Sequence, residues 1–468
     1  MYFYLDAAII GVKREYVTPI FFKEERFMEK FKLIKAKKIE EKELIEEIRN
    51  LSNHDQKTKL ELGFASPYIY WDKLKYKASK GLSPEKHWAI IKFARKMRAA
   101  ETIIRDPHNK CFSWIKLPHY EKILHEMDLH TGGSLIFYSK DIDEKEKLKF
   151  LSRGVMEEAI ASSQLEGAAT SRKQAKEFLR AGRKARNKDE QMILNNYEAM
   201  QDIENEYKNQ DLDIEMLFEL HRKITKNTIE EKEQGVLRKN EDEIVVKGKL
   251  DNIVYYEAPA LKFVKTELNR LIDFANDKIK TPFIHPVVKA IMLHFWLAYL
   301  HPFVDGNGRI ARLLFYWYLL KKGYWAFAYL PISAVIKKAP AQYKKAYIYT
   351  EQDDNDLTYF IDFNIQKIQL SINNFKGYIE RKGLNNQQMN TVARKEFNLS
   401  FRQISLLQYF HGNKDGKTNS KMHMNMNKIC KKTASTDLKK LKDHGFLISQ
   451  KQGRNQYYYP TDKIQKLF

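Results

Sequence analysis

The chain has 468 residues, 43% hydrophobic and 30% charged, which is enough apolar sequence for several folded domains with ordinary cores. No apolar run approaches the length of a membrane span, and the only two cysteines, Cys111 and Cys430, lie far apart. These features argue against a membrane protein, a disulfide-stabilised protein and a cysteine-ligated metal protein, and they predict a reducing, cytoplasmic location. The net charge of +22 suits an anionic partner, although a lysine-rich composition alone also produces it.

Residues 1–143 predict helices and contain no recognisable catalytic motif. A lysine-rich helical pattern covers residues 24–50, and a further helix is expected over residues 119–129 before the pair Gly132 and Gly133. Between these helices, aromatic residues stand among lysines at Tyr68, Tyr70, Trp71, Tyr76, Trp88 and Phe93. This pattern favours helices that bury their aromatic side chains, and stacking on nucleic acid is the alternative.

Residues 144–166 predict one helix that ends in Ser-Ser-Gln-Leu-Glu-Gly at residues 162–167. Ser162 and Glu166 are four residues apart and so share one face, and Gly167 is a typical terminator. A glutamate at this position meets the negative end of the helix dipole. Glu166 is therefore expected either to be exposed to solvent or to have a cationic partner from elsewhere in the chain.

The region from residue 173 to residue 300 predicts helices and one β-hairpin. Helical patterns cover residues 173–226, where His221 is interpreted as a core or boundary histidine, and continue over residues 260–278 and 285–300. Residues 243–247 and 253–256 are predicted strands joined by a polar loop. A hairpin of this kind commonly clamps an extended ligand by adding a strand to it.

The sequence His-Pro-Phe-Val-Asp-Gly-Asn-Gly-Arg-Ile-Ala-Arg at residues 301–312 interrupts two strongly apolar runs, and packing alone does not explain a polar, glycine-bearing insert there. Gly306, Asn307 and Gly308 fall at a predicted helix start, where free backbone N–H groups bind anions. Asp305 can hold Mg²⁺, and Arg309 and Arg312 can grip phosphates. Because His301 can accept a proton from an incoming hydroxyl, the motif predicts a phosphate-transfer site, with Phe303 anchoring the loop.

The C-terminal part predicts a separate basic unit. Helices are expected over residues 343–350 and 357–378, and a polar linker near residues 383–388. Three further helices, at residues 401–410, 419–426 and 434–444, precede two strands that flank the basic loop 451–454. This order is typical of a winged helix-turn-helix, which binds DNA in many proteins and other proteins in some. Residues 391–468 hold 16 basic and 5 acidic residues, a net charge of +11, which favours DNA.

The 301–312 motif resembles the signature of the Fic family and matches it at every fixed position, with the resemblance covering about residues 144–380. It implies a mainly α fold, a helical bundle with one β-hairpin flap, here joined to a C-terminal winged helix-turn-helix. The implied domains are residues 1–143 of unknown role, a Fic domain at 144–380 and a winged helix at 390–468. The family transfers AMP from ATP to a Tyr, Thr or Ser hydroxyl of a protein.

The resemblance also implies a role for each matching residue. His301 would be the catalytic base, Asp305 would bind Mg²⁺, and Arg312 would hold the γ-phosphate of ATP. Gly306, Asn307, Gly308 and Arg309 would bind phosphates, and Tyr343 would lie at the nucleoside pocket. The target-docking flap, at about 243–257, would comprise Ile244, Val245, Val246, Ile253, Val254 and Tyr255.

Residues 162–167 resemble the inhibitory motif of the Fic subclass that carries an N-terminal inhibitory helix, here at about 144–167. Ser162, Glu166 and Gly167 match it, so Glu166 would pair with Arg312 and block placement of the γ-phosphate. Enzymes of this subclass are often homodimers. Two alternatives stay open: a Fic-type enzyme that removes AMP or transfers another phosphate-containing group, and a DNA-binding regulator that senses nucleotide.

Overall fold

The computed structural model describes residues 30–50, 60–77, 82–131, 144–240, 242, 244–247, 253–411, 413–453 and 455–467. These residues are mostly helical, which confirms the predicted mainly α fold class. The predicted break at Gly132 and Gly133, Glu243 and the hairpin loop 248–252 lie outside the described residues. No described helix is long and apolar enough to cross a membrane.

The helices and strands are as follows. The α-helices are α1 Glu41–Asn50, α2 Trp71–Leu74, α3 Pro84–Arg98, α4 Tyr120–Thr131, α5 Glu144–Leu165, α6 Arg172–Ala181, α7 Lys188–Asn205, α8 Ile214–Thr225, α9 Leu261–Ala275, α10 Pro286–Leu300, α11 Asn307–Lys321, α12 Ile332–Ile336, α13 Pro340–Gln352, α14 Thr358–Phe397, α15 Phe401–His411, α16 Ser420–Asn427 and α17 Lys431–Asp443. The strands form antiparallel pairs, β1 Ala100–Arg105 with β2 Cys111–Trp114, β3 Val245–Lys247 with β4 Val254–Glu257, and β5 Leu447–Gln452 with β6 Asn455–Pro460.

Helices α10 and α11 pack against each other at the centre of the main core. Both are buried along almost their whole length, and Trp296 and Trp317 are fully buried. A helix buried on all its faces is enclosed by other elements of the fold. The polar loop that joins α10 to α11 is therefore held between two fixed helix ends.

The N-terminal part differs from the prediction in two places. Residues 31–40 are not helical, so the helix predicted over 24–50 is confirmed only for Glu41–Asn50. The β1–β2 hairpin was not predicted, although its turn has a local cause: Asp106 Oδ1 accepts hydrogen bonds from His108 N and Lys110 N. An Asx turn of this kind, after a strand rich in β-branched residues, is the pattern that could have indicated the hairpin.

The predicted aromatic cluster is largely part of the core. Tyr68, Tyr70, Trp71 and Trp88 are buried, whereas Tyr76 is 80% exposed and Phe93 is 46% exposed. Four of the six aromatic residues therefore support the packing interpretation and not the stacking of nucleic acid.

The predicted linker at residues 383–388 is wrong, because helix α14 continues through it to Phe397. A single glycine in a helix costs only about 1 kcal/mol, which is too little to end a helix between good helix-forming residues. Beyond α14, three helices and the β5–β6 hairpin follow in the predicted order around a second core. Their assignment as a winged helix-turn-helix stays a prediction.

Candidate active site

His301 follows the last residue of α10 and caps that helix in a left-handed conformation, with φ 48° and ψ 56°. Its Nδ1 lies 3.1 Å from Ala298 O, a backbone carbonyl that can only accept, so Nδ1 carries the proton. The Nε2 of the neutral ring is then free of a proton and can accept one. Arg238 fixes the same residue by donating from Nε to His301 O at 2.9 Å.

Burial lowers the pKa of His301 from its ordinary value of 6.5, against smaller raising effects of Ala298 O and Glu166. The neutral, proton-accepting ring therefore persists to more acidic pH than in a free histidine. We expect the rate of any reaction that uses His301 as a base to stay constant down to about pH 6.5 and to fall only below it. A pH profile of single-turnover rates tests this expectation, and an acid limb centred above pH 6.5 would contradict it.

The loop after His301 is braced by His221, which sequence reasoning placed in the core. Gly235 N donates to His221 Nδ1 at 2.9 Å, so His221 Nε2 carries the proton that is donated to Asp305 O, also at 2.9 Å. The imidazole stacks on Phe303 with ring centroids 3.7 Å apart. Burial lowers the pKa of His221 to about 4, so the ring is neutral and acts as a fixed support.

Asn307 uses both polar atoms of its side chain within the loop. Its Oδ1 accepts from Phe303 N at 3.0 Å and its Nδ2 donates to Phe303 O at 2.8 Å. The buried amide thus fixes the path of residues 303–307 and is not free to bind a phosphate. A phosphate-binding role for Asn307 would have to come from its backbone N–H, among the first N–H groups of α11, which have no partner within the helix.

Arg309 is fully buried beneath the same helix start. Its Nη1 donates to Ile224 O at 2.8 Å, while Nε and Nη2 have no hydrogen-bond partner among the described residues. The Asp305 carboxylate lies 3.4 Å from Nη2, a distance that gives ion pairing without a good hydrogen bond. Buried donors without acceptors are costly, so this guanidinium favours the approach of an anion.

Asp305 is the residue that could hold a metal ion. One carboxylate oxygen accepts from Gly306 N at 2.6 Å, and the side chain is 41% exposed. The described residues contain no cluster of three or more histidine, cysteine, aspartate or glutamate side chains suited to a metal. Mg²⁺ usually binds through one or two carboxylates together with substrate phosphates, so a single accessible carboxylate beside an anion site fits it.

Arg312 lies on α11, and its side chain contacts the end of α5. Its Nε donates to Ser162 Oγ at 2.8 Å, and its Nη2 donates to Ser162 O at 3.0 Å and to Glu166 Oε1 at 2.8 Å. Arg312 is buried, whereas the Glu166 side chain is 28% exposed. The cationic partner expected for Glu166 is thus present, contributed by a helix 146 residues further along the chain.

The Glu166 carboxylate also covers the start of α11. A methyl group added at Gly308 would overlap Glu166 Oε1, so the carboxylate rests against the backbone at the first turn of that helix. Helix α5 ends at Leu165, one residue earlier than predicted, and Gly167 has a φ of 104° that allows the chain to turn away. Glu166 therefore extends from the helix end into the position where the helix would attract an anion.

Tyr343, on α13, belongs to a polar network beside Arg312. Its hydroxyl lies 2.9 Å from His294 Nε2 and 3.1 Å from the hydroxyl of Tyr347. Burial raises the pKa of Tyr343, opposed by nearby Arg312, and burial lowers the pKa of His294 to about 3. Sequence reasoning missed His294 and Tyr347, because buried polar side chains on apolar helices are not distinguishable from core residues without the fold.

The β3–β4 hairpin lies beside His301 and is shorter than predicted. Val245 and Val246 lie in β3 and Val254 and Tyr255 in β4, whereas Ile244 and Ile253 lie outside both strands. Among the residues that the structure describes, backbone pairing continues past β3 through Ala258 N, which donates to Ile244 O at 2.9 Å. Within the paired residues the register shifts between Val246 and Lys247.

Tyr256 connects this hairpin to the His301 end of α10 and was not predicted. Its hydroxyl donates to Tyr299 O, and its ring centroid lies 6.1 Å from that of His301. Arg238 contributes a second connection, since it contacts both His301 O and Pro259 O. The hairpin is therefore held in a fixed position relative to the imidazole.

The Fic/DOC family model matches residues 211–319, which include the hairpin and the whole 301–312 loop. Residues 211–319 are therefore similar to a Fic domain. Over 114 residues it is 31% identical to the protein adenylyltransferase fic-1 of Caenorhabditis briggsae, and 31% identical to the protein adenylyltransferase Fic of Drosophila willistoni. The aligned segment is 24% of this chain and 20% and 21% of those relatives, so the match spans about a fifth of each curated relative.

Solved structures of Fic proteins are also similar to the chain. A Fic family protein from Desulfovibrio desulfuricans G20 has a TM-score of 0.47 at 17% identity, covering 74% of this chain and 96% of that one. Fic-1 from C. elegans has a TM-score of 0.44 at 21% identity, covering 56% of this chain and 73% of that one.

Proposed function

We propose that this chain is a protein adenylyltransferase that transfers AMP from ATP to a Tyr, Thr or Ser hydroxyl of a target protein. The observation that carries the proposal is the fixed tautomer of His301, whose Nδ1–H is held by Ala298 O beside the first turn of α11. A proton acceptor next to an anion-binding helix start is the arrangement that transfer of a phosphate-containing group requires. The names of the relatives support AMP as the transferred group.

In the proposed reaction the target hydroxyl oxygen attacks the α-phosphorus of ATP. The bond between that phosphorus and the oxygen that bridges to the β-phosphate breaks, and pyrophosphate leaves. The hydroxyl proton passes to Nε2 of His301, which its lowered pKa keeps available. The backbone of Gly306, Asn307 and Gly308 and the free donors of Arg309 would bind the phosphates.

Asp305 would hold a Mg²⁺ ion, which when bound neutralises negative charge on the phosphate oxygens. His221 keeps that carboxylate in place through the Asp305 carbonyl. Arg312 would bind the γ-phosphate, and Tyr343 would border the nucleoside pocket. Residues 244–246 and 253–255 of the hairpin would dock the target in extended form.

We propose further that Glu166 inhibits the enzyme by competing with the γ-phosphate for Arg312. The contact at 2.8 Å and the position of the carboxylate against Gly308 support this competition, since two anions cannot share the site. Ser162 would hold Arg312 in the inhibited position through two further hydrogen bonds. Gly167 would allow the turn that aims Glu166 at the site.

The reaction is tested with ATP labelled at the α- or at the γ-phosphate. A Glu166→Gly variant incubated with Mg²⁺ and cell extract should transfer label to protein from α-labelled ATP and not from γ-labelled ATP. Transfer from the γ-phosphate would indicate a kinase. Release of AMP from previously labelled protein by the wild-type chain, without net transfer by the variant, would favour the AMP-removing alternative.

We propose as a second function that residues 390–468 bind DNA. Helix α17 exposes Lys431, Lys432 and Lys439, and β5 exposes Lys451. These side chains would contact the phosphate backbone from the helix and hairpin that a winged helix presents to DNA.

DNA binding by the full-length chain should weaken steeply with salt. Changing Lys431, Lys432 and Lys439 to glutamine should reduce the slope of log K against log salt by about 1 per lysine. The matched control changes the exposed lysines Lys262, Lys265 and Lys280 to glutamine, which lowers net charge equally. Gel shifts at several salt concentrations measure both slopes, and equal slopes for the two triple variants would contradict the proposed interface.

A further inference from the structure

A short N-terminal segment lies along the outer edge of β4. Phe31 N donates to Val254 O at 2.8 Å, and Lys30 forms a parallel bridge with Val254. This edge belongs to the hairpin whose next residues approach His301. The outer edge of β4, in the hairpin beside the candidate base, therefore already carries an extended segment of the same chain.

Beyond the hydrogen bond between Phe31 and Val254, the side chain of Gln352, at the end of α13, pairs with the backbone of the N-terminal segment. Its Nε2 donates to Phe31 O at 3.0 Å, and its Oε1 accepts from Leu33 N at 2.9 Å. The C=O of one residue and the N–H two residues later point to the same side of an extended chain. The carboxamide thus acts as one peptide group of a neighbouring strand, and it binds the backbone of any extended segment without requiring particular side chains.

Two side-chain contacts add selectivity to this backbone recognition. The Phe31 ring stacks on Tyr255 with centroids 5.0 Å apart and an interplanar angle of 25°. Lys30 forms an ion pair with Glu257, and both side chains are more than half exposed. The edge therefore matches an extended segment in which a basic residue is followed by an aromatic one.

The segment is held without regular secondary structure of its own. Residues 31–40 form no helix or strand, Ile34 is 73% exposed, and the Lys30–Glu257 ion pair is exposed, while Leu33 packs against the main core and the Tyr70 hydroxyl donates to Ile34 O at 3.1 Å. Another chain that offers the same backbone pairing and an apolar residue at the Leu33 position could therefore replace residues 30–33. The same groups that hold Lys30 and Phe31 would then hold the incoming segment.

We infer that the β4 edge, together with Gln352, is a docking groove for an extended basic–aromatic segment of the target protein, and that residues 30–33 occupy it in its absence. The inference rests on the proposed function for the identity of the ligand as a target. Residues 30–33 act as an intramolecular competitor that excludes weakly binding segments, because an incoming segment must overcome their high local concentration.

The groove is tested by binding, independently of AMP transfer. The probe is a fluorescent, capped peptide of sequence Glu-Lys-Phe-Lys-Leu-Ile-Lys, which copies residues 29–35. The first variant is the full-length chain with the double substitution Lys30→Gly and Phe31→Pro. It lacks the ion pair with Glu257, the ring stack on Tyr255 and the N–H that Phe31 donates to Val254. This opened variant should bind the peptide at least about tenfold more tightly than the wild-type chain does. The control Ile34→Gly with Lys35→Gly, which leaves the groove contacts in place, should bind it as weakly as wild type.

Two further variants identify the groove as the binding site. Adding Gln352→Met to the opened variant keeps the side-chain volume, removes both carboxamide hydrogen bonds, and should weaken peptide binding about tenfold. Adding Glu257→Lys, an exposed change that leaves the fold intact, should weaken binding about two- to fivefold and should favour a peptide with glutamate in place of its first lysine.

Equal binding to the opened and wild-type chains, or binding unchanged by both added substitutions, would overturn the inference. Peptide binding with the expected dependence, in a chain that transfers no label from ATP, would instead refute the proposed function and leave the groove established. Label transfer from ATP without peptide binding would refute the groove and support the proposed function.

Discussion

Replacing Glu166 with glycine is expected to raise the rate of AMP transfer by about 5–150-fold, the range that a coupling free energy of about 1–3 kcal/mol produces. The physical reason is that Arg312 loses its only carboxylate hydrogen-bond partner among the described residues, and the first turn of α11 is uncovered. Both changes favour productive binding of a triphosphate. The measurement is the initial rate of label transfer from α-labelled ATP at saturating Mg²⁺.

A second variant separates the effect of the charge at residue 166 on the rate from the effect of the side-chain volume. Glu166→Gln keeps the size of the side chain and removes its charge, so its rate should lie between those of wild type and Glu166→Gly. Glu177→Gln, on the exposed face of α6, is the matched control and should leave the rate unchanged. Combining Glu166→Gly with Arg312→Ala should abolish the gain, because both residues act on the same phosphate. An unchanged or lower rate for Glu166→Gly would refute inhibition by this contact.

Replacing His301 with asparagine in the Glu166→Gly background is expected to lower the single-turnover rate about 10²–10⁴-fold. Asparagine tolerates the left-handed conformation that His301 adopts, so this variant removes the base without straining the turn. In a His301→Ala variant, loss of the base and strain in the turn would both change the rate, because alanine is unfavourable at a positive φ. Circular dichroism and thermal unfolding should match the parent protein.

The His301→Asn variant should still bind ATP, since the groups proposed to bind phosphate lie in residues 306–312. A fluorescent ATP analogue measures that affinity, which should change less than about threefold. A variant that binds ATP normally and still transfers AMP at the parental rate would exclude His301 as the base. Loss of nucleotide binding together with activity would instead indicate a structural role for the imidazole.

Predictions from the sequence agree best with the structure where a feature depends on residues that are close together along the chain. The apolar runs before His301 and after Arg312 predict buried helices, and those helices form the centre of the core. The glycine at residue 306 predicts a tight turn into a helix, and its φ of 83° is of the kind that favours glycine. The helix expected over residues 419–426 and the two strands expected around the loop 451–454 follow from equally local patterns.

Predictions were incomplete where a contact joins distant parts of the chain. His221 is buried, in agreement with its interpretation as a core or boundary histidine, but only the fold shows that it supports the carbonyl of Asp305, 84 residues away. The predicted phosphate-binding role of Asn307 stays a prediction for its backbone N–H, because its side-chain amide is hydrogen-bonded to the backbone of Phe303. The helical path of α14 through residues 383–388 was missed because local polarity there resembles that of a linker.

The 301–312 motif, the buried helices on both sides of it and the kind of chemistry expected there could all be predicted from the order of residues. These features depend on residue type and short spacing, which set backbone conformation and burial locally. The resemblance to the Fic inhibitory motif already implied that Glu166 faces Arg312, and the tertiary structure added the geometry of that contact. The side chain that braces Asp305 and the segment that lies on β4 are known from the tertiary structure alone. Each of these is a contact between residues more than 80 positions apart, and such pairing follows from how the helices pack and not from any local pattern.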